Sequence, residues 1–160
     1  MIEIAHKNFS FLSRTAAATE IILGDARLQL EREPAQLFDV LVVDAFSGDS
    51  VPIHLLTREA FAQYFRHLKP NGVLAVHITN RFLDLRPVVK TAANHFAKDV
   101  RLVDSEGIPE KLVLSSRWAL ISNDTAFFKD PQLSSATSIA DPNGFQPWKD
   151  DYSSIFSILK

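Results

Sequence analysis

Apolar positions in this chain gather into short, strand-sized runs separated by stretches with helical spacing, the alternation expected of an α/β domain. The clearest run is Phe38-Asp39-Val40-Leu41-Val42-Val43-Asp44. It predicts a buried parallel strand over 38–44 that stops on a carboxylate and opens into the small-residue turn Ala45-Phe46-Ser47-Gly48-Asp49. Upstream, Thr19-Glu20-Ile21-Ile22-Leu23 predicts a strand over 19–24 that leads into Gly24-Asp25-Ala26-Arg27. Before it, Ile2, Ile4, Ala5, Phe9 and Leu12 are spaced for a helix over 2–13. A short helix over 26–33 should end at Glu33-Pro34, because the residue before proline is driven out of the helical region.

Beyond Pro52, Thr57 is placed to cap a helix reaching Leu68, with Ala60, Phe61, Tyr64, Phe65 and Leu68 on one face. Lys69-Pro70-Asn71-Gly72 reads as a turn. Val73 to Ile78 is almost wholly apolar and predicts a third strand covered on both faces. Pro87 opens a helix to about Ala97, followed by a short strand over 100–103. Lys111–Leu114 and Trp118–Ser122 predict an antiparallel pair at one sheet edge. Residues 123–147, rich in Ser, Asp, Pro and Asn, predict loop with one helical turn near 126–129. A terminal helix is expected over 152–160 with Ile155, Phe156 and Leu159 inward, capped by Asp150-Asp151-Tyr152-Ser153. The whole predicts one domain over 1–160, doubly wound with right-handed crossovers.

Composition narrows the class. With 46% hydrophobic residues in 160, the chain can bury a core of its own. Seventeen basic against nineteen acidic residues, a net charge of −2, argue against a nucleic-acid surface. The absence of cysteine removes thiolate catalysis, disulfides and Cys-based zinc sites. No pair of histidines has metal-ligand spacing with a carboxylate, so no metal is expected. No stretch reads as a signal peptide or membrane span, and a cytoplasmic location is the default expectation.

The candidate chemistry lies at the strand ends, since open α/β sheets bind ligands beyond the carboxyl ends of their strands. Two strand-end acids in consecutive β-α units, Asp25 and Asp44, suggest a nucleoside site. Asp44 is the stronger candidate: a carboxylate closing an apolar strand needs solvent, a donor or a substrate cation. Asp25 is equally placed to be a helix N-cap. Asp49 could face the same crevice, although an exposed loop aspartate explains it more simply. His54 and His77 read as packed, hydrogen-bonded histidines. Phe9, Phe11, Phe61, Phe65 and Phe96 read as core. Ser47 lacks the glycines of a nucleophile elbow.

Gly24-Asp25-Ala26-Arg27, the 38–52 block through Val43-Asp44-Ala45-Phe46-Ser47-Gly48-Asp49-Ser50-Val51-Pro52, and Leu55-Leu56-Thr57-Arg58-Glu59-Ala60-Phe61 resemble the spermidine synthase family. Val76-His77-Ile78-Thr79-Asn80-Arg81-Phe82-Leu83-Asp84-Leu85 and Trp148-Lys149-Asp150-Asp151-Tyr152-Ser153 resemble its bacterial spermidine synthase-like branch, whose members are often fused to membrane transporter-like segments. The resemblance implies a Rossmann-like fold of the S-adenosylmethionine-dependent methyltransferase type, a mostly parallel sheet with an antiparallel edge pair. It implies aminopropyl transfer from decarboxylated S-adenosylmethionine to a polyamine such as putrescine. Asp44 would then be the acid that deprotonates the attacking amine, Asp25 with Ala26 beside it the adenine side, and Asp49 a substrate-binding acid. A homo-oligomer stays open. A methyltransferase using S-adenosylmethionine, and a noncatalytic remnant or interaction module, are the alternatives.

The family's first strand with its glycine-rich turn, and its second strand ending on a ribose-binding acid, should precede residue 1, and Met1-Ile2-Glu3-Ile4-Ala5 matches the helix after them. Its second acid lies three residues beyond the first, where this chain has Ser47, so Asp49 takes that place only if the loop bends to bring it in. Its sheet order is 3-2-1-4-5-7-6, so removing strands 1 and 2 leaves strands 19–24 and 38–44 either to pair directly or to leave an open edge.

Overall fold

In the computed structural model, which describes residues 2–45 and 51–160, the sheet is laid down by four principal strands. Helices α1 (Ile2–Asn8), α2 (Phe11–Arg14) and α3 (Ala26–Arg32) precede β1 (Phe38–Val43). Helix α4 (Arg58–His67) leads to β2 (Leu68–His77), and α5 (Arg86–His95) to β3 (Asp99–Ser105). Strands β4 (Ser116–Ser122) and β5 (Thr137–Ser138) complete a five-stranded sheet in the order β1-β2-β4-β3-β5. β1 and β2 are parallel, whereas β4 is antiparallel to both of its neighbours. β3 therefore runs with β1 and β2, and the first four positions reproduce the 4-5-7-6 half of the expected sheet, reversed strand included.

The local chemistry explains the elements. Thr57 caps α4 by accepting from Ala60 N, and Pro87 sits in the first turn of α5. Glu33, held extended before Pro34, ends α3. The core lies between the sheet and helices α4 and α5. Phe61, Tyr64, Leu74, Val76, Val88, Val89, Val100 and Ile121 are all buried there, and the Val73–Val76 run of β2 is covered on both faces as its composition demands.

Several expectations change. Residues 19–24 form no strand, and Ile21, Ile22 and Leu23 are exposed. A strand needs a partner for its backbone groups, and the described sheet offers this segment none. β1 is consequently an edge strand with Phe38, Val40 and Val42 exposed, so it is half-covered rather than buried. The helix expected over 2–13 breaks at Phe9-Ser10 into α1 and α2, and Phe9 and Phe11 lie exposed outside the core.

Lys69-Pro70-Asn71-Gly72 does not separate α4 from a later strand. It is absorbed into β2 as an irregularity, with Phe38 paired to Leu68 and Val40 to Val73. Gly72 is required there, because a Cβ would come within 2.9 Å of the Phe38 carbonyl oxygen. Residues 111–114 are not strand either: a single 3-10 turn covers Pro109–Lys111 and Leu112 adopts a left-handed conformation. The strand β4 instead pairs antiparallel with β2 and β3, between which it lies. The chain end forms a 3-10 turn, Ile155–Ile158, that buries Ile158 while Ile155, Phe156 and Leu159 stay exposed. The turn near 126–129 is a 3-10 helix, Phe127–Lys129.

Candidate active site

The parallel register pairs Val43 of β1 with Val76 of β2. The next residues along, Asp44 and His77, therefore meet at the carboxyl end of the sheet. Asp44 Oδ1 lies 2.7 Å from His77 Nδ1, and the carboxylate side chain is 53% exposed. The other ring nitrogen, Nε2, lies 2.6 Å from Thr79 Oγ1, which also accepts the Arg117 backbone N–H at 2.7 Å. Across the β2–β4 register His77 faces Trp118. The two rings stack with centroids 4.7 Å apart and planes at 21°. Arg117 is tied in turn to Asp104, with Nε donating to Oδ1 at 2.6 Å. Beside this rim opens a cavity of about 390 Å³ whose lining includes Thr79, Asn80, Asp104, Glu106, Arg117 and Lys160.

A second cluster forms at the start of α3. Asp25 caps the helix, accepting Leu28 N at Oδ1 (3.0 Å), and its Oδ2 lies 3.0 Å from His54 Nε2. The Leu28 N–H is the main reason that the Asp25 carboxyl titrates below its ordinary range. The capping role considered from sequence is therefore realised. Each oxygen thus has a partner, Leu28 N at one and His54 at the other, and a carboxylate, with about four lone-pair sites, can accept a further donor. Ala26 is the first residue of the helix.

Arg27 reaches from α3 to the C-terminal segment. Its Nη1 and Nη2 donate to Asp150 Oδ1 (2.7 Å) and Oδ2 (2.5 Å), and its Nε donates to Glu31 at 2.9 Å. Thr57 Oγ1 donates to Asp150 Oδ1 at 2.7 Å, and Arg58 N donates to the carbonyl of buried Trp148 at 2.7 Å. The guanidinium fork holds the Asp150 carboxyl down at about 2, and Arg27 itself is pushed up by the same bond. The expected capping of the last turn by Asp150 is thus replaced by a latch onto α3 and α4. Asp25, Leu28, Ile53, His54 and Asp150 are among the residues lining a cavity of about 640 Å³, so its lining joins apolar Leu28 and Ile53 to hydrogen-bonding side chains.

The two sequence-derived acids thus have separate partners, Asp25 with His54 and Asp44 with His77. Asp49 and Ser47 lie outside the described residues. The contacts that Arg27, His54, Thr79 and Asp150 make in these clusters were not legible in the sequence. Arg27 and Asp150 are 123 positions apart, with no local pattern joining them. For His77 a signal did exist: it closes the strand that pairs with the one Asp44 closes. Among the described residues no cluster of His, Cys, Asp or Glu converges to hold a metal ion. No described helix is long and apolar enough to cross a membrane.

No family model matches the chain. The polyamine aminopropyltransferase of Vibrio vulnificus is 34% identical over 77 residues, which is 47% of this chain and 25% of that protein. Among solved structures, a probable spermidine synthase from Corynebacterium glutamicum superposes with a TM-score of 0.57 at 21% identity, over 84% of this chain and 55% of that one. The chain thus matches about a quarter of the curated relative and about half of the structural one. It shares the fold of a spermidine synthase and, over 77 residues, is similar in sequence to a polyamine aminopropyltransferase.

Proposed function

We propose that this chain carries the acid-bearing part of an aminopropyltransferase that moves the aminopropyl group of decarboxylated S-adenosylmethionine onto a polyamine such as putrescine. The amine nitrogen attacks the methylene carbon bonded to the sulfonium, and a C–N bond forms as the C–S bond breaks. The leaving thioether keeps the electron pair, and the amine's proton passes to the Asp44 carboxylate. The observation that carries this reading is Asp44 itself, one residue beyond β1, half-exposed at the carboxyl rim and held at one oxygen by His77. A general base needs such access and a fixed geometry. In-line attack needs mainly positioning and removal of water from the amine.

Asp25 and Ala26 form the nucleoside side in this proposal. Asp25 has acceptor capacity left for an exocyclic amine, and Leu28 and Ile53 offer an apolar wall for a base. Asp49 is proposed as the acid that receives a distal ammonium of the polyamine. No metal takes part, and the location is cytoplasmic.

Isothermal titration with decarboxylated and carboxylated S-adenosylmethionine, together with putrescine-transfer rates for the chain and for Asp44→Asn, tests the proposal. Preference for the decarboxylated form and a transfer rate about a hundredfold lower in the variant are expected. A requirement for the cofactor's carboxylate would favour a methyltransferase on the same scaffold. Binding of neither nucleoside would favour a noncatalytic module.

A further inference from the structure

We propose that His77 is a positioning residue for the transfer: its Nδ1–H fixes the Asp44 carboxylate so that Oδ2 faces the incoming amine. This rests on Asp44 being the proton acceptor. The assignment of the donor follows from the hydrogen-bond chain. Thr79 Oγ1 accepts the backbone N–H of Arg117 at 2.7 Å and lies 2.6 Å from His77 Nε2. An ionised carboxylate only accepts, so its 2.7 Å contact with Nδ1 is a hydrogen bond when that nitrogen carries the proton, and the Thr79 hydroxyl, which can accept one N–H and still donate, then gives its own proton to Nε2. In the neutral ring the proton then resides on Nδ1, 2.7 Å from Asp44 Oδ1. A protonated ring would donate to the same oxygen, so Asp44 meets a donor in either charge state.

The ring is clamped as well as bonded. Trp118 stacks on it at 4.7 Å, placed by the β2–β4 register, and Thr79 is anchored to the backbone of β4. The donor closes β2 and the acceptor directly follows the last paired residue of β1, the kind of support that holds a reacting group to within a fraction of an ångström. Asp44 Oδ2 has no hydrogen-bond partner among the described residues, and the side chain is accessible. His77 touches Asp44 and not the amine, so its effect should be on the rate of the step rather than on substrate capture. A histidine that merely fills space beside Trp118 would need no particular tautomer.

Two measurements on the full chain test this. In ¹⁵N NMR, neutral His77 should carry its proton on Nδ1, and Asp44→Ala should shift it toward Nε2. A neutral ring protonated on Nε2 in the unsubstituted chain overturns the proposal, and this arm requires no turnover. In putrescine transfer, His77→Phe keeps a flat ring against Trp118 but donates nothing. It should lower kcat about tenfold to hundredfold, the worth of a hydrogen bond to a charged group, with KM within about twofold. His77→Asn, whose amide N–H stands near the place of Nδ1–H, should restore most of that loss. A His77→Phe variant as fast as the unsubstituted chain overturns the proposal. Full activity in Asp44→Asn would instead sink the base assignment, and the Nδ1–H result would show that failure to be separate.

Discussion

Replacing Asp150 with asparagine should loosen the C-terminal latch by an amount that the structure bounds. The carboxylate is held by both Nη atoms of Arg27 and by Thr57, and its pKa falls to about 2. Against an ordinary value of about 4, at about 1.4 kcal/mol per unit, the undiscounted figure is roughly 2.5 kcal/mol. The Asp150 side chain is 46% exposed, whereas that of Arg27 is only 12% exposed. Solvent screening on the Asp150 side reduces the net value to about 1 kcal/mol. For a domain of this length that corresponds to a fall in Tm of about 2–4 °C.

The pH dependence has a definite sign. The folded-state pKa of Asp150 is depressed, so the stabilisation is fully present above about pH 4 and disappears as the pH falls toward 2. Urea unfolding of the chain, Asp150→Asn, Arg27→Met and the double variant, at pH 7 and pH 3, measures both effects. A coupling energy of about 1 kcal/mol at pH 7 that shrinks at pH 3 is expected. Additive single variants at pH 7, or a coupling unchanged at low pH, would refute the latch as an electrostatic device.

Two further substitutions probe how the site's scaffold is held. Thr57→Ala removes the cap of α4 and a donor to Asp150; a loss of about 1–2 kcal/mol in urea unfolding is expected. Gly72→Ala places a methyl group 2.9 Å from the Phe38 carbonyl and against Leu68. It should destabilise by about 1–3 kcal/mol and loosen the β1–β2 pairing that aligns Asp44 with His77, read as faster amide exchange along β1.

The amino-acid order by itself determined the parts of this protein whose causes are local. Thr57 as a cap, Pro34 and Pro87 as helix boundaries, and the wholly apolar Val73–Val76 run produce their elements wherever they sit, because capping, ring constraint and periodicity act within a few residues. The placing of Asp44 just past a strand end was legible for the same reason. Strand formation at 19–24 was not. Ile21, Ile22 and Leu23 have the pattern, but a strand exists only where a neighbour takes its backbone groups, and the described sheet supplies none. Only the tertiary structure turned Lys69-Pro70-Asn71-Gly72 from a turn into an irregularity of β2, since that depended on the register with β1. Contacts between distant segments likewise decided the site's partners: His54 for Asp25, His77 for Asp44, and Asp150 for Arg27. Hydrogen bonds between residues tens of positions apart follow from strand register and helix packing, which no local spacing encodes.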